Sequence, residues 1–189
     1  MFRFGLWMFL LVGFGGMSAV QAMTLVNSDV QHENGSYRVS FEFTVDAPSN
    51  RVRALMSDFA HYDRLVASIT ESKILEGAPS GTTRIKLVIN DCVLLFCRSL
   101  TRIEDIVTEP NGDIVTTVLP EHSDFSHAVE RWRIVPNGAG TRVYYNARLT
   151  PSIFIPPLIG PIAVKYKIRA QLEETANTLE ALAREVSAK

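Results

Sequence analysis

Residues 151–186 read PSIFIPPLIGPIAVKYKIRAQLEETANTLEALAREV, and two kinds of chain meet in that stretch. From Pro151 to Pro161 it is apolar yet carries four prolines. Each proline fixes φ and removes a backbone donor, so no regular element is expected there. Over residues 162–187 the spacing predicts a long helix. Ile168, Leu172, Thr175, Leu179, Leu182 and Val186 recur at steps of four and three, so they form one stripe along the helix. A helix with a single apolar stripe needs a surface on which to bury it.

The preceding residues supply that surface as strands. Tyr37, Val39, Phe41, Phe43 and Val45 alternate with Arg38, Ser40, Glu42 and Thr44, the period of a half-buried strand. Asp46-Ala47-Pro48-Ser49 stops this strand and opens a helix with Val52, Leu55, Met56 and Phe59 on one face. Tyr62 and Leu65 continue into a short second helix or turn. Strand-like runs follow at 71–76, 83–92, 97–107, 113–119, 125–135 and 141–149, separated by turn signals such as Glu109-Pro110-Asn111-Gly112 and Pro136-Asn137-Gly138-Ala139-Gly140. The latter is read as a hairpin turn and not a phosphate cradle, because no helix follows it. Residues 23–35 are polar and read as an irregular lead-in, with residues 36–189 as one domain. The expected class is α+β, a curved antiparallel sheet wrapped around the C-terminal helix. The gap left in such a grip is commonly a ligand cavity.

At 189 residues with a formal charge of -1, the chain suits a single domain and has no global field that would favour nucleic acid. The N-terminus has the layout of a cleavable secretory signal: Met1-Phe2-Arg3, an uncharged apolar run from Leu6 to Gly16, then Val20-Gln21-Ala22. Cleavage after Ala22 is expected, giving a periplasmic protein that starts at Met23. An uncleaved membrane anchor is the alternative.

Several pieces, taken in order, resemble the polyketide cyclase/dehydrase and coenzyme Q-binding branch of the START-like (helix-grip) proteins. They are Val45-Asp46-Ala47-Pro48 leading into Val52 and Asp58-Phe59, then Glu130-Arg131-Trp132-Arg133 before Gly140-Thr141-Arg142-Val143, and finally Ile155-Pro156-Pro157-Leu158-Ile159 running into the last helix. The resemblance spans roughly residues 36–186. It implies the helix-grip fold and an apolar cavity, and it implies no particular reaction.

Motifs for chemistry are sparse. His122, Asp124 and His127 lack the spacing of a transition-metal site and read as a polar turn entering a strand. Glu104 and Asp105 are strand neighbours facing opposite ways, so they cannot pair as acid and base. No catalytic residue, metal or cofactor is assigned. The aromatic set Phe41, Phe43, Tyr62, Phe125, Trp132 and Tyr145 is expected to approach one interior, either as plain core or as cavity lining. The expected partner is a hydrophobic small molecule or lipid held passively. The rivals are a cyclase- or hydrolase-like enzyme using Tyr62, His127 or Arg131, and a structural protein with a filled core. Two apolar loops stand out: Leu94, Leu95 and Phe96 between the cysteines, and Phe154 and Ile155 among the prolines. Lys165, Lys167 and Arg169 follow at the start of the helix. Together they suggest peripheral contact with an anionic lipid surface. The alternative is that the loops cover the core. No residue pattern sets an oligomeric state.

The two cysteines raise a question of register. If Asn90-Asp91 were a two-residue turn, Cys92 and Cys97 would lie on one strand, about 16 Å apart at ~3.3 Å per residue. If the turn is instead Val93 to Phe96, the cysteines face each other. Asp91 then meets Arg98, Arg84 meets Asp105, and the two strands have similar lengths. Charge pairing, strand balance and an oxidising compartment predict the second register and a Cys92–Cys97 disulfide.

Overall fold

The alternation that begins at Tyr37 builds a ten-residue strand whose odd-numbered residues are buried and whose even-numbered residues are not. That pattern recurs through the sheet. The computed structural model describes residues 23–93, 96–157 and 160–185. The signal sequence expected at 1–22, the apolar residues Leu94 and Leu95, and the side chains of Val93 and Phe96 lie outside the described residues.

The strands are β1 (Thr24–Glu33), β2 (Ser36–Val45), β3 (Ile69–Leu75), β4 (Thr83–Val93), β5 (Phe96–Thr108), β6 (Ile114–Val118), β7 (Phe125–Asn137) and β8 (Gly140–Pro151). Helix α1 (Ser49–Met56) and a 3-10 segment (Phe59–Arg64) lie between β2 and β3, and α2 (Gly160–Glu185) ends the order. All eight strands form one antiparallel sheet ordered β1-β2-β8-β7-β6-β5-β4-β3. The expected α+β grip is therefore observed.

The polar segment 23–35, read as irregular, is corrected: it contains strand β1, paired with β2 along its length. Val30 is its only buried residue. An edge strand is held by backbone hydrogen bonds and needs no apolar alternation, so its pattern is weak. The turn that closes it was visible. Asn34 (φ 51°) and Gly35 (φ 78°) both take positive φ, which an Asn-Gly pair tolerates well in a two-residue hairpin.

The β4–β5 hairpin has the second register. Asp91 faces Arg98, Arg84 faces Asp105, Cys92 faces Cys97, and the two cysteines are bonded. Arg84 and Asp105 form a bidentate pair at 2.6 and 2.8 Å.

Helix α2 is gripped at the β2–α1 junction. Glu180 is buried, and its carboxylate accepts a hydrogen bond from the Asp46 backbone N–H at 3.1 Å. Beside it, the Thr141 hydroxyl donates to the Ala47 carbonyl at 2.6 Å. Gly140 is required here, because a Cβ at this position would lie 2.6 Å from the Val45 carbonyl oxygen. Small residues Ala176 and Ala183 let the C-terminal half of α2 lie close to the sheet, with Leu179 fully buried between them.

Candidate ligand-binding cavity

Towards its N-terminal half, α2 separates from the sheet. Ile168, Leu172 and Thr175, predicted for the buried stripe, here line a cavity of about 380 Å³. Opposite them are side chains that alternate inward from β4, β5, β7 and β8. A volume of this size falls within the range of small-molecule pockets, roughly 300–1,000 Å³. The walls are mostly apolar, among them Met56, Leu65, Leu87, Leu100 and Leu149.

Four of the six aromatic residues singled out in the sequence line it: Tyr62, Phe125, Trp132 and Tyr145. Trp132 and Tyr145 are cross-strand partners with ring centroids 4.1 Å apart. Phe41 and Phe43 do not line the cavity. They pack in the solid part of the core, each 1% exposed, with rings 5.6 Å apart. They share the inward face of β2 with Tyr37, and it is Tyr37, nearer the other end of the strand, that reaches the cavity.

The deep end is polar. Arg102 and Glu104 on β5, Thr116 on β6 and Glu130 on β7 are all buried and line the cavity. The Arg102 guanidinium donates through Nε and Nη2 to Glu104 Oε2, the first of these at 2.8 Å. Nη2 also lies 2.6 Å from Glu130 Oε1, an ion-pair distance without the alignment of a hydrogen bond. Burial works against the charge on Arg102, but the two glutamates outweigh it and hold its pKa above the ordinary arginine value. Burial pushes the Glu104 carboxyl up; Arg102 opposes this and Glu130 adds to it. Burial, followed by the nearby glutamates, raises the hydroxyls of Tyr62 and Tyr145, so both stay protonated. Tyr62 donates its proton to the Met56 carbonyl at 2.9 Å.

This polar end was missed in the sequence, although a signal was present. Leu100, Arg102, Glu104 and Ile106 share one face of a strand, as do Ala128, Glu130, Trp132 and Ile134, so the charges fall on the inward period. Of the groups considered for catalysis, only Tyr62 faces the cavity. His127 and Arg131 border a shallow depression on the outer face of the sheet. Arg131 is tied to Glu109 at 2.6 Å and to Asp113 at 3.0 Å.

The residues proposed for a lipid surface divide. Ile155 lines the cavity, and its side chain occupies the place where a Cβ on Gly160 would lie. Phe154 also borders the cavity and is 85% exposed. Because α2 begins at Gly160, the three cations lie beyond its first turn and hardly oppose its dipole. Lys167 pairs with Asp91 at 2.8 Å, Arg169 pairs with Glu173 at 2.9 Å, and Lys165 has no ion-pair partner among the described residues. Two exposed apolar side chains unmarked in the sequence reading, Ile162 and Tyr166, lie one turn apart on this part of α2.

Residues 36–186, which build the helix, the cavity and the sheet from β2 onwards, match a family described as polyketide cyclase/dehydrase and lipid transport. The chain belongs to that family. Solved structures agree in fold for this polyketide cyclase/dehydrase and lipid transport family member. A START superfamily protein from Mycobacterium smegmatis is 23% identical, with a TM-score of 0.64 over 79% of this chain and 98% of its own. A STAR-related lipid transfer protein from Xanthomonas axonopodis is 17% identical, with a TM-score of 0.57 over 88% of this chain and 99% of its own. An aromatase/cyclase from Streptomyces sp. R1128 is 18% identical, with a TM-score of 0.58 over 80% of this chain and 94% of its own. No curated protein sequence matches the chain.

Proposed function

We propose that this family member is an exported carrier or sensor that holds a hydrophobic small molecule or lipid between the sheet and the N-terminal half of α2. The observation that carries the reading is the cavity of about 380 Å³ beneath Ile168 and Leu172, whose walls are mostly apolar. Binding would be passive. Each Å² of apolar ligand surface removed from water contributes roughly 25 cal/mol before the costs of association. The presence of a lipid transfer protein among the structural neighbours supports this choice of ligand class. The exposed Phe154, Ile162 and Tyr166, with Lys165 beside them, support transient contact with a membrane surface where the ligand would enter or leave.

The test is native mass spectrometry of protein purified from the periplasm of its own host, followed by organic extraction of whatever co-purifies. The expected result is an adduct that extracts as an apolar molecule and is depleted in Trp132→Ala. A homogeneous apo mass, together with no binding of lipid probes, would overturn the reading. The same preparation should begin at Met23; retention of Phe2 to Gly16 would overturn the export step.

A further inference from the structure

The sheet has two edges, and they are protected unequally. An open strand edge carries unpaired N–H and C=O groups and is a template for another strand unless it is short, charged, bulged or covered. At one edge, β3 is seven residues long, carries Glu71 and Lys73, and shifts register between Ile69 and Glu71. It is also partly covered, since the Ser72 hydroxyl donates to the Phe59 carbonyl of the 3-10 segment at 2.7 Å. At the other edge, β1 is ten residues long and contains no proline, lysine or arginine. Among the described residues its only strand neighbour is β2. Its one register shift lies near its start, between Leu25 and Asn27, so residues 27–33 run as a regular strand. β1 also lies outside residues 36–186, so the features shared by the family do not account for it.

The hairpin decides which backbone groups are open. Glu33 and Ser36 flank the two-residue turn as a hydrogen-bonded pair, and from there alternate residues of β1 face β2. Gln31 and Asp29 therefore turn their backbone groups to β2, whereas His32, Val30 and Ser28 turn theirs to the open side. A second β1, running antiparallel across a two-fold axis, meets these groups with the same set of its own. The possible registers differ in what they oppose. With Val30 on the axis, Asp29 of one copy faces Gln31 of the other, Ser28 faces His32, and the pairing covers residues 27–33, clear of the register shift. One step either way sets Asp29 against Asp29 or Asp29 against Glu33, and like charges directly opposite are destabilising. The Val30-centred register is the complementary one. Within one copy Gln31 Nε2 already donates to Asp29 Oδ2 at 2.8 Å, and the same amide and carboxylate suit each other across the axis.

We infer that β1 is a dimerisation edge, where a second copy of this chain joins in the Val30-centred register to make one continuous antiparallel sheet. The residues that line the cavity come from other elements, so this inference stands or falls apart from the ligand reading. The test is sedimentation of the chain from Met23 onwards, from micromolar to millimolar concentration, which should pass from monomer to dimer. Gln31→Glu sets two pairs of like charges across the axis and should weaken the dimer about tenfold. Gln31→Lys sets two pairs of opposite charges there and should tighten it by a similar factor. Both changes are on an exposed side chain, so the fold should hold. His32→Pro removes a backbone donor on the open side, where an edge strand tolerates proline, and should leave a folded monomer. In the wild type, the Val30 and His32 amide hydrogens should exchange more slowly in concentrated than in dilute protein, while that of Gln31, bonded to β2 in both states, should not change. A monomer at every concentration overturns the inference. So does a dimer that survives His32→Pro, or one whose stability the two Gln31 variants do not move in opposite directions.

Discussion

The two halves of helix α2 lie on the same sheet and yet bury different things. Around Leu179 and Ala183 the helix packs on Phe41, Phe43, Val45 and Val52, all nearly inaccessible to water. Around Ile168 and Leu172 it faces a cavity whose far end holds Arg102, Glu104 and Glu130. The difference lies in the residues that meet. Small residues at 176 and 183 bring the helix down onto aromatic rings. At the other end the helix borders the cavity, and the inward positions of β5 and β7 there carry the charged Arg102, Glu104 and Glu130. One end of a common architecture is built for stability and the other for occupancy, and substitutions should separate the two.

The largest expected effect is at the packed end. Phe43→Ala should cost about 3–5 kcal/mol, the usual range for emptying an aromatic site in a core. Trp132→Ala, bordering space that is already open, should cost clearly less and should lower probe binding more than it lowers the melting temperature. Denaturant melts of the two variants beside a lipid-probe titration make the comparison. Equal destabilisation would mean that the open end is ordinary core.

A smaller effect is expected at the rim. Reduction of Cys92–Cys97 removes a constraint on a short loop, worth ~2 kcal/mol in the chain-entropy picture. Intact mass under denaturing, non-reducing conditions with an alkylating reagent should show no free thiol. Two modified cysteines in freshly exported protein would contradict the bond.

The two acidic clusters should respond to pH with opposite signs. Burial acts to raise Asp113 on the outer side of the sheet, but hydrogen bonds from Arg133 and Arg131 outweigh it and leave its pKa lowered. Its contribution is therefore present above the ordinary aspartate range and is lost as pH falls through the lowered value. Glu104 at the cavity floor is raised, so its folded carboxyl holds a proton more tightly than in the unfolded chain. Its contribution favours the fold at low pH and is lost as pH rises from the ordinary glutamate value through the raised one. Unfolding midpoints measured between about pH 3 and pH 8 should show Asp113→Asn flattening the acid-side loss and Glu104→Gln flattening the loss on the way up. Matching slopes in the two variants would show that the clusters do not differ in this way.

The smallest effect on stability belongs to the surface. Phe154→Ser with Tyr166→Ser should change the unfolding free energy by no more than about 0.5 kcal/mol, since both side chains are largely exposed. It should nonetheless weaken sedimentation with anionic vesicles, as should Lys165→Glu and added salt. Reversing Lys167 or Arg169 should matter less, because each is already paired with a carboxylate. Vesicle binding indifferent to all of these would remove the membrane step from the proposed function.

The sequence by itself determined the class and every strand from β2 onwards, with the long C-terminal helix. The period of two from Tyr37 to Val45, the four-and-three steps from Ile168 onwards and the turn chemistry between strands are local patterns, each imposed by backbone geometry. The disulfide register was legible for a related reason: cross-strand pairing is an arithmetic of opposite positions, and charges at 84, 91, 98 and 105 fit only one of the two registers considered. Strand β1 was not legible, because backbone hydrogen bonding to β2 holds it and leaves little trace in side-chain pattern. Only the tertiary structure decided which inward-facing residues are core and which are cavity. Phe43 and Trp132 both alternate inward on strands of one sheet, and nothing local separates them. Their fates depend on how closely the C-terminal helix, distant in sequence from both, approaches each. The same holds for Arg102, Glu104, Thr116 and Glu130. Their alternation announced that they point inward, but only the fold brings β5, β6 and β7 together so that one guanidinium meets two carboxylates. Hydrogen-bond satisfaction is a property of neighbours distant in sequence, and it exists only once the chain has closed around them.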